Sequence, residues 1–305
     1  MRALSVGIVR ASYDSRNNAA MELAVTEIRN ILTRTTGFLK TVTSHSVQPY
    51  RGCSFGNALC GVGCYVQHNP YATQGRPWGS FLEVRKNGAD SYRLHVDRER
   101  RWARKSRGKF GVLLSSSTEP FLPQEFRYRV TEKLLHAMLE SPPDLLILQT
   151  HSHRVTEYLE IYHQLHRCCD LRVHISIETD IEEFPGLPSH ASSVERRFDA
   201  ARTLKESGIR TVITVSPLMP IQEPEPFFSW IAECADAVVI DHFVQGDGSA
   251  DGSRTERTAL PAAMAAVRPD SVDVGYRDRM VEIAKQYLPG RVGVNIDGFA
   301  GRYRA

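Results

Sequence analysis

Residues 144–177 read DLLILQTHSHRVTEYLEIYHQLHRCCDLRVHISI, and this stretch decides the fold. It begins with an apolar run at Asp144–Thr150, continues through an amphipathic stretch at Val155–Arg167 and ends in a second apolar run at Leu171–Ile177. Both apolar runs are short and rich in Leu, Ile and Val, which is typical of parallel strands that are covered on both faces. The pattern therefore predicts a β-α-β unit.

The same alternation extends on both sides of this unit. Apolar runs of strand length recur at Phe110–Ser115, Arg210–Val215, Ala235–Asp241 and Arg291–Ile296. Amphipathic stretches of helix length lie at Glu125–Glu140, Ser193–Ser207, Pro226–Cys234 and Gly275–Tyr287. Repeated βα units indicate a parallel sheet. The right-handed crossover rule allows such a sheet to form a doubly wound open sheet or a full or partial barrel.

Polar residues directly follow several of these strands, and this favours the barrel. They occupy positions 115–119 (SSSTE), 149–152 (QTHS), 176–179 (SIET) and 241–242 (DH). In a β/α barrel the loops at the carboxyl ends of the strands carry the chemistry. The dinucleotide-binding pattern GxGxxG, by contrast, follows none of the strands. We therefore predict an α/β protein with a barrel architecture.

Two segments differ in composition from this array. Met1–Lys40 is predicted to be an N-terminal extension with a helix at Asn17–Leu32, ahead of a barrel domain at residues 41–305. Residues 246–253 read GDGSADGS, a composition typical of a mobile surface loop.

The overall composition excludes several classes of protein. The chain has 305 residues, 42% of them apolar and 24% charged, which excludes collagen-like, coiled-coil and largely disordered proteins. Its 38 Lys and Arg residues against 35 Asp and Glu give a net charge of +3, which does not argue for a polyanionic partner. No apolar run approaches the roughly 20 residues that span a bilayer. Met1–Arg16 also lacks the apolar core of a secretory signal. We therefore expect a cytoplasmic protein with no membrane partner.

Half of the six cysteines lie close together. Cys53, Cys60 and Cys64 fall in a glycine-rich stretch at 51–65, RGCSFGNALCGVGCY. Glycines let the backbone wrap tightly enough for these thiolates to converge on one metal centre. A [4Fe–4S] cluster is usually held by four cysteines, so a set of three leaves one iron open to another ligand. Cys168, Cys169 and Cys234 are assigned to packing, since free cysteine behaves as a small buried hydrophobe.

An alternative for the same cysteines is zinc. His68 completes a Cys-x6-Cys-x3-Cys-x3-His pattern, which supplies four ligands for a closed structural site. The spacing is close to that of CCCH zinc fingers that bind RNA. The alternative function is therefore a non-catalytic, zinc-stabilised RNA-binding protein. Because such fingers are small independent modules and this stretch precedes a long βα array, we favour the iron–sulfur interpretation.

The cysteine stretch resembles that of the radical S-adenosylmethionine (SAM) superfamily, and more narrowly its spore photoproduct lyase-like branch. The resemblance continues in order from about Gly37 to Pro226. The elements that carry it are Lys86-Asn87, residues 117–125 (STEPFLPQE), 149–152 (QTHS), 174–177 (HISI), Arg196-Arg197-Phe198, 207–209 (SGI) and 216–220 (SPLMP). Two departures stand out: Cys-x6-Cys-x3-Cys replaces Cys-x3-Cys-x2-Cys, and His151 stands where the branch has lysine.

The resemblance implies a fold, two cofactors and an activity. The fold would be a partial (β/α)6 TIM-type barrel. Cys53, Cys60 and Cys64 would hold a [4Fe–4S] cluster, whose open iron binds the amino and carboxylate groups of S-adenosyl-L-methionine. An electron from a reductant such as flavodoxin or ferredoxin would cleave SAM, and the resulting 5′-deoxyadenosyl radical would abstract a substrate hydrogen. The enzyme would be lyase-like, with its substrate unknown.

Contacts to SAM follow from position within the resemblance. Thr118 and Glu119 would meet the methionyl amine, His151 and Arg197 the carboxylate, and Ser176 and Glu178 the ribose hydroxyls. A residue that returns hydrogen to the product is not apparent, because Cys234 precedes its strand and falls at the wrong end of the barrel.

A basic run leaves nucleic acid open as the substrate. Arg98–Lys109 reads RERRWARKSRGK, with seven basic residues around Trp102. Such a run would neutralise phosphates while the indole stacks on a base. The alternative is a solvated helix face that leads into the strand at Phe110–Ser115.

Overall fold

Strands and helices alternate along most of the chain. A computed structural model describes residues 7–8 and 21–303. The strands within these residues are β1 (Gly7–Ile8), β2 (Glu22–Thr26), β3 (Thr33–Arg34), β4 (His45–Val47), β5 (Tyr50–Gly52), β6 (Phe81–Arg85), β7 (Gly111–Leu114), β8 (Leu145–Thr150), β9 (Asp170–Ser176), β10 (Thr211–Val215), β11 (Ala237–Ile240) and β12 (Val292–Val294).

The helices in the same residues are α1 (Leu59–Val62), α2 (Pro70–Thr73), α3 (Gly88–Arg107), α4 (Glu125–Tyr128), α5 (Val130–Glu140), α6 (Leu159–His166), α7 (Val194–Glu206), α8 (Pro224–Cys234), α9 (Phe243–Gly246), α10 (Leu260–Val267), α11 (Val274–Tyr287) and α12 (Asn295–Phe299). Short 3-10 helices occupy Gly37–Thr41, Tyr65–His68, His153–Tyr158 and Pro269–Val272. None of the helices in the described ranges combines the length and apolar character needed to cross a membrane.

The larger sheet forms the wall of the barrel. Its strand order is β12-β11-β10-β9-β8-β7-β4-β3. Neighbours from β4 to β12 pair in parallel, and β3 at the edge pairs antiparallel with β4. In the described part of the chain the edge strands β3 and β12 pair with one partner each, so the barrel is open. The predicted α/β fold with a partial TIM-type barrel is confirmed.

Both faces of the barrel strands are buried, which explains their continuous apolar sequence. In β8, Leu146 and Leu148 face the surrounding helices as part of the main core. Leu145 and Ile147 alternate with them and face the barrel interior, where they pack with residues of α12 such as Phe299. Full burial of one such side chain is worth about 1.5–3 kcal/mol. The interior is therefore a packed core below the strand ends rather than a channel.

All six predicted barrel strands are present, as β7 to β12. A further parallel strand, β4, pairs with β7, and β5 separates it from Cys53. Its sequence is short and polar at His45 and Ser46, and both side chains are buried. The imidazole of His45 lies 3.2 Å from the carboxylate of Glu99 in α3. That remote partner is what allows so polar a strand to be buried.

The helix predicted at Asn17–Leu32 is wrong where the structure describes it. Residues 22–26 form β2, which pairs in parallel with β6 in a smaller sheet of order β1-β2-β6-β5. Leu23 packs there against Leu82 and Val84. These pairing partners are remote in sequence, so long-range packing overrides the local helical pattern. Residues 17–20 lie outside the described residues, and the domain boundary at residue 40 stays a prediction.

Most predicted helices form with small shifts at their ends. The side chain of Ser193 caps α7 by accepting a hydrogen bond from the Arg196 amide at 3.3 Å, and Gly208 follows the helix with φ of +78°. The helix predicted at Glu125–Glu140 is instead broken into α4 and α5 at Arg129, which has φ of 49°. The carboxylate of Glu125 accepts hydrogen bonds from the first amides of α5. A buried carboxylate therefore caps the second helix.

The glycine-rich segment at 246–253 is partly buried and hydrogen-bonded, which its composition does not predict. Asp247 is buried, and its carboxylate accepts hydrogen bonds from the backbone amides of Ser249 and Thr255 at 2.8 and 2.7 Å. The interpretation as a surface loop is therefore corrected for the first two residues of the segment, which pack at the carboxyl end of the barrel.

Candidate active site

A cavity lies at the carboxyl ends of β7 to β11, where a β/α barrel carries its chemistry. It encloses about 1050 Å³ when measured out to its open mouth. The strand ends contribute residues 115–119, Gln149, His151, Glu178, Ser216, Asp241 and His242 to its wall. The polar sets that follow separate strands in the sequence thus converge on one space.

The cysteine stretch closes another side of the same cavity. Cys53 follows β5, Cys60 lies in α1, and Cys64 immediately precedes the next 3-10 helix. All three line the cavity. The structure therefore brings together the three cysteines that the sequence singled out.

The additional residues of the cysteine stretch are accommodated by tight backbone packing. Residues between the first and second cysteines turn back so that α1 packs against the start of the stretch. A Cβ atom at Gly61 would lie 2.1 Å from the carbonyl oxygen of Phe55, which only glycine avoids. The side chain of Leu59 anchors α1 in a small apolar cluster with Phe184 and Leu260. The longer stretch therefore includes one turn of helix, α1, which places Cys60 at the cavity.

Burial disfavours the ionised form of these thiols. It raises the pKa of Cys53 to about 12 and that of Cys64 to about 11, and it also raises the pKa of Cys60. A thiolate is the form that binds metal. Three buried thiols beside one cavity thus match the donor set of a metal centre, whose positive charge would stabilise the thiolates. Within the described ranges, groups of three or more His, Cys, Asp or Glu that could hold a single ion are absent.

His68, the fourth ligand of the zinc alternative, is not among the described residues that line the cavity. Burial, and then the charge of its neighbour Arg257, lower the pKa of the imidazole. The structure therefore brings the cysteines to one wall and places His68 elsewhere.

Glu119 is held rigidly at the cavity wall. One carboxylate oxygen accepts hydrogen bonds from the Phe121 amide at 2.9 Å and the Thr150 hydroxyl at 2.6 Å. The other accepts one from the His151 amide at 2.8 Å. Burial raises the pKa of Glu119, and the donors around it oppose that effect. Thr118, next to it, also lines the cavity.

Glu178 lies between two basic side chains. One of its oxygens accepts a hydrogen bond from the Arg197 guanidinium at 2.7 Å. The other lies 2.8 Å from Nε2 of His151, without the alignment of a hydrogen bond. Burial acts to raise the pKa of Glu178, but Arg197 and His151 together hold it well below its usual range. The site therefore contains a buried carboxylate that stays ionised.

Ser176 and Arg197 do not reach the cavity surface formed by the described residues. Arg197 is buried behind Glu178, where it also donates to the carbonyl of Ser176 at 2.6 Å. The hydroxyl of Ser176 bonds to Gln149 at 2.7 Å and Thr214 at 3.0 Å. The geometry thus favours a supporting role for both residues in place of direct contact with a ligand.

The sequence reasoning did not assign several residues that line the cavity. Asp241 directly follows β11, and its place after an apolar run was the available signal. Asp247 and Trp78 come from loops whose position no local pattern reveals. Gln149 presents a buried amide oxygen that has no hydrogen-bond partner among the described groups.

The basic run lies on a helix away from these residues. Arg98–Arg107 is the second half of α3, which confirms a helix leading into β7. Trp102 is partly buried against the core, with the Arg34 guanidinium 4.0 Å from its ring centroid and His45 packed edge-on. The indole is therefore already covered by neighbours of its own chain.

Solved structures with the same architecture identify the fold. A double mutant of spore photoproduct lyase, with bound AdoMet and dinucleoside spore photoproduct, aligns with a TM-score of 0.60. The alignment covers 89% of this chain and 81% of that chain at 15% sequence identity. The chain has the fold of spore photoproduct lyase. A second structure of that lyase, complexed with dinucleoside spore photoproduct, aligns with a TM-score of 0.57 and 14% identity over the same shares of both chains.

Comparison of sequences says less about this chain than comparison of structures. No protein-family model matches the chain. An uncharacterised protein of Methanocaldococcus jannaschii is 25% identical over 197 residues. That match covers 59% of this chain and 66% of the archaeal protein.

Proposed function

We propose that this protein is a radical SAM enzyme, in which Cys53, Cys60 and Cys64 hold a [4Fe–4S] cluster. The observation that carries the proposal is that three cysteines from different turns of one loop line a single cavity with the ends of the barrel strands. The fold shared with spore photoproduct lyase supports it. Given one electron, the bound cluster and SAM would yield methionine and a 5′-deoxyadenosyl radical, which would abstract hydrogen from a substrate.

The residues of the wall are proposed to bind the polar groups of SAM. The oxygen of Glu119 that accepts only the His151 amide has a lone pair for the methionyl ammonium, and Thr118 lies beside it. The imidazole of His151, at the cavity surface, is suited to the methionyl carboxylate. The Glu178 oxygen that lacks an aligned donor is suited to a ribose hydroxyl.

Arg197 and Ser176 are proposed to position these groups. Arg197 fixes Glu178 and keeps it ionised. The Ser176 hydroxyl accepts a hydrogen bond from the side-chain nitrogen of Gln149, whose amide oxygen is left without a partner among the described groups. Both act through a neighbour, since neither lines the cavity among the described residues.

The apolar part of the wall is proposed to exclude water. It comprises Phe55, Leu59, Trp78, Met219, Phe243 and Leu260. A primary alkyl radical would react with any nearby donor, so a dry enclosure protects it. A reductant such as flavodoxin or ferredoxin would supply the electron. A lyase-like reaction and a cytoplasmic location are part of the same proposal.

The test is cleavage of SAM in the absence of substrate. The protein is reconstituted anaerobically with iron and sulfide, reduced with dithionite and assayed for 5′-deoxyadenosine. We expect the wild-type protein to form it and Cys60→Ala to form none. Cys168→Ala is the matched control, because Cys168 is exposed and follows α6 at the amino end of β9. Equal product from Cys60→Ala and the parent would overturn the assignment of the ligands.

A further inference from the structure

The cavity wall is rich in carboxyl groups. Glu119, Glu178, Asp241 and Asp247 all line it, whereas lysine and arginine are absent from the described lining residues. Nearby guanidinium groups are engaged elsewhere: Arg197 lies behind Glu178, and Arg254 donates to the backbone carbonyl of Asp247 at 3.3 Å. The lining is therefore acidic.

His242 adds no positive charge to this wall. Its Nδ1 accepts a hydrogen bond from the Val244 amide at 3.1 Å, which requires that nitrogen to be unprotonated. Its Nε2 lies 3.1 Å from the carbonyl oxygen of Ser271 and donates to it. Burial lowers the pKa of the imidazole in the same direction. His242 therefore does not offset the acidic lining.

Three of the four carboxyl groups are each held by several groups of the chain, although one oxygen of Glu178 meets His151 without the alignment of a hydrogen bond. Glu119 accepts hydrogen bonds from Phe121, Thr150 and His151. Glu178 is paired with Arg197 and His151. Asp247 accepts from the amides of Ser249 and Thr255 and from the Ser249 hydroxyl at 2.5 Å.

Asp241 has the fewest such partners. Its Oδ2 accepts a hydrogen bond from the Ser216 hydroxyl at 3.1 Å, but Oδ1 is buried and has no partner among the described groups. The chain passes directly over this carboxyl group at Gly246, where a Cβ atom would lie 2.5 Å from Oδ2. Burial raises the pKa of Asp241 to about 7; the Ser216 hydrogen bond and the charge of Arg277 act against this shift, and the charge of Asp247 adds to it. No salt bridge within the described residues neutralises this buried carboxyl group.

Position separates Asp241 from the proposed SAM contacts. Thr118, Glu119, His151 and Glu178 follow β7, β8 and β9. Asp241 follows β11, two strands beyond β9 in the sheet. The segment that covers it, 243–260, also lies against the cysteine loop, since the Leu260 side chain is within 3.0 Å of the Cβ position of Gly63. Asp241 thus lies on a different strand end of the cavity wall from these four residues.

We infer that Asp241 binds a protonated amino group of the substrate, so that the substrate is a small amine rather than a strand of nucleic acid. This inference rests on the proposed function, because it assigns another residue of the same cavity. An ammonium group would satisfy Oδ1 and neutralise the buried charge. A phosphodiester would meet an acidic wall without the Lys or Arg contacts that hold nucleic-acid backbones.

The experiment is equilibrium binding of defined probes to the reconstituted protein in the presence of SAM. The probes are 1,4-diaminobutane and spermidine, the uncharged analogue 1,4-butanediol, and the dinucleotide thymidylyl-thymidine, each measured by anaerobic calorimetry in mildly alkaline buffer. We expect saturable binding of an amine, at least about tenfold tighter than the diol, and at least about a tenfold loss in Asp241→Asn. Asp251→Asn, an exposed aspartate in the same covering segment, is expected to bind as the parent does.

Several results would overturn the inference. These are an amine that binds no better than the diol, the absence of saturable amine binding, preferential binding of the dinucleotide, or unchanged amine binding in Asp241→Asn. A weaker affinity for SAM in Asp241→Asn, with amine binding intact, would assign the carboxyl group to SAM instead. Iron content and melting temperature of Asp241→Asn show that it folds. Because cluster assembly and SAM cleavage are measured separately, failure of the proposed function is distinguishable from failure of this inference.

Discussion

Two opposing effects act on the carboxyl group of Glu178. Burial favours its protonated form, and the Arg197 guanidinium with the His151 imidazole favours its ionised form. The ionised form is favoured overall, because both basic side chains lie within 2.8 Å of the carboxylate oxygens. A fixed negative charge at the wall is the result, and it depends on Arg197 more than on any property of Glu178 itself.

Replacing Arg197 with methionine should therefore destabilise the protein. Breaking a buried ion pair by removing one partner typically costs about 3 kcal/mol of unfolding free energy. The folded-state pKa of Glu178 is depressed, so its stabilising contribution is present above about pH 4.3, the unfolded value, and is lost as the pH falls through the folded value. We expect the difference between variant and parent in urea unfolding to be largest near neutral pH and to shrink in acid.

Arg196→Met is the matched control for this measurement. Arg196 is adjacent in sequence but exposed on α7, so its replacement should change the free energy of unfolding little. A pH-independent loss in Arg197→Met, or equal losses in the two variants, would contradict the role assigned to the pair.

At the scale of the element, the cysteine loop depends on how closely its backbone packs. A methyl group at Gly61 would collide with the Phe55 carbonyl oxygen at 2.1 Å and with the backbone of Gly56 at 2.4 Å. Neither backbone can move without displacing α1, which carries Cys60. Overpacking of this kind costs about 1–3 kcal/mol. We expect Gly61→Ala to lose most of the iron that the parent retains after anaerobic reconstitution and desalting.

Gly63→Ala is the control within the same loop. Its new methyl group would meet the flexible side chain of Leu260 at 3.0 to 3.4 Å, and that side chain can shift. Iron content should then stay near that of the parent. Full retention of iron in Gly61→Ala would show that the backbone approach does not hold the loop.

The elements also show which parts of the fold local sequence predicts. The strands β7 to β12 were predicted, because burial on both faces makes them continuous apolar runs. Strand β4 was not, since His45 is buried by virtue of a carboxylate contributed by Glu99 in a distant helix. Strand β2 has the local pattern of a helix, and it forms a strand because it pairs with residues 81–85 of β6. In both cases the strand depends on a contact between residues that are far apart in the sequence, which the local pattern does not show.

At the scale of the whole molecule, the two ends of the barrel interior have different roles. Below the strand ends, Phe299 of α12 and Tyr303 pack against β10 and β11 residues such as Val212 and Val239. Above them, the interior becomes polar at Gln149, Ser176 and Thr214 and then opens into the cavity. The C-terminal segment therefore fills the base of the barrel and leaves its upper end for ligands.

The sequence predicts only part of the candidate site. The cysteines and the polar residues after β7, β8 and β9 were recognisable, because strand order brings carboxyl ends together. The hydrogen bond between Arg197 and Glu178 was not, since sequence does not show which buried groups bond to each other. Sequence likewise does not show that Oδ1 of Asp241 lacks a partner among the described groups, as Oε1 of Glu178 does, because this depends on the folded molecule.

The central claim is that three cysteines without His68 hold an iron–sulfur cluster. It is tested most directly by metal analysis and absorption spectroscopy of the protein purified without exposure to oxygen, alongside Cys60→Ala and His68→Ala. We predict a brown protein with about four irons per chain and a broad charge-transfer band, lost in Cys60→Ala and retained in His68→Ala. A colourless protein with one zinc per chain, released by either substitution, would contradict the account.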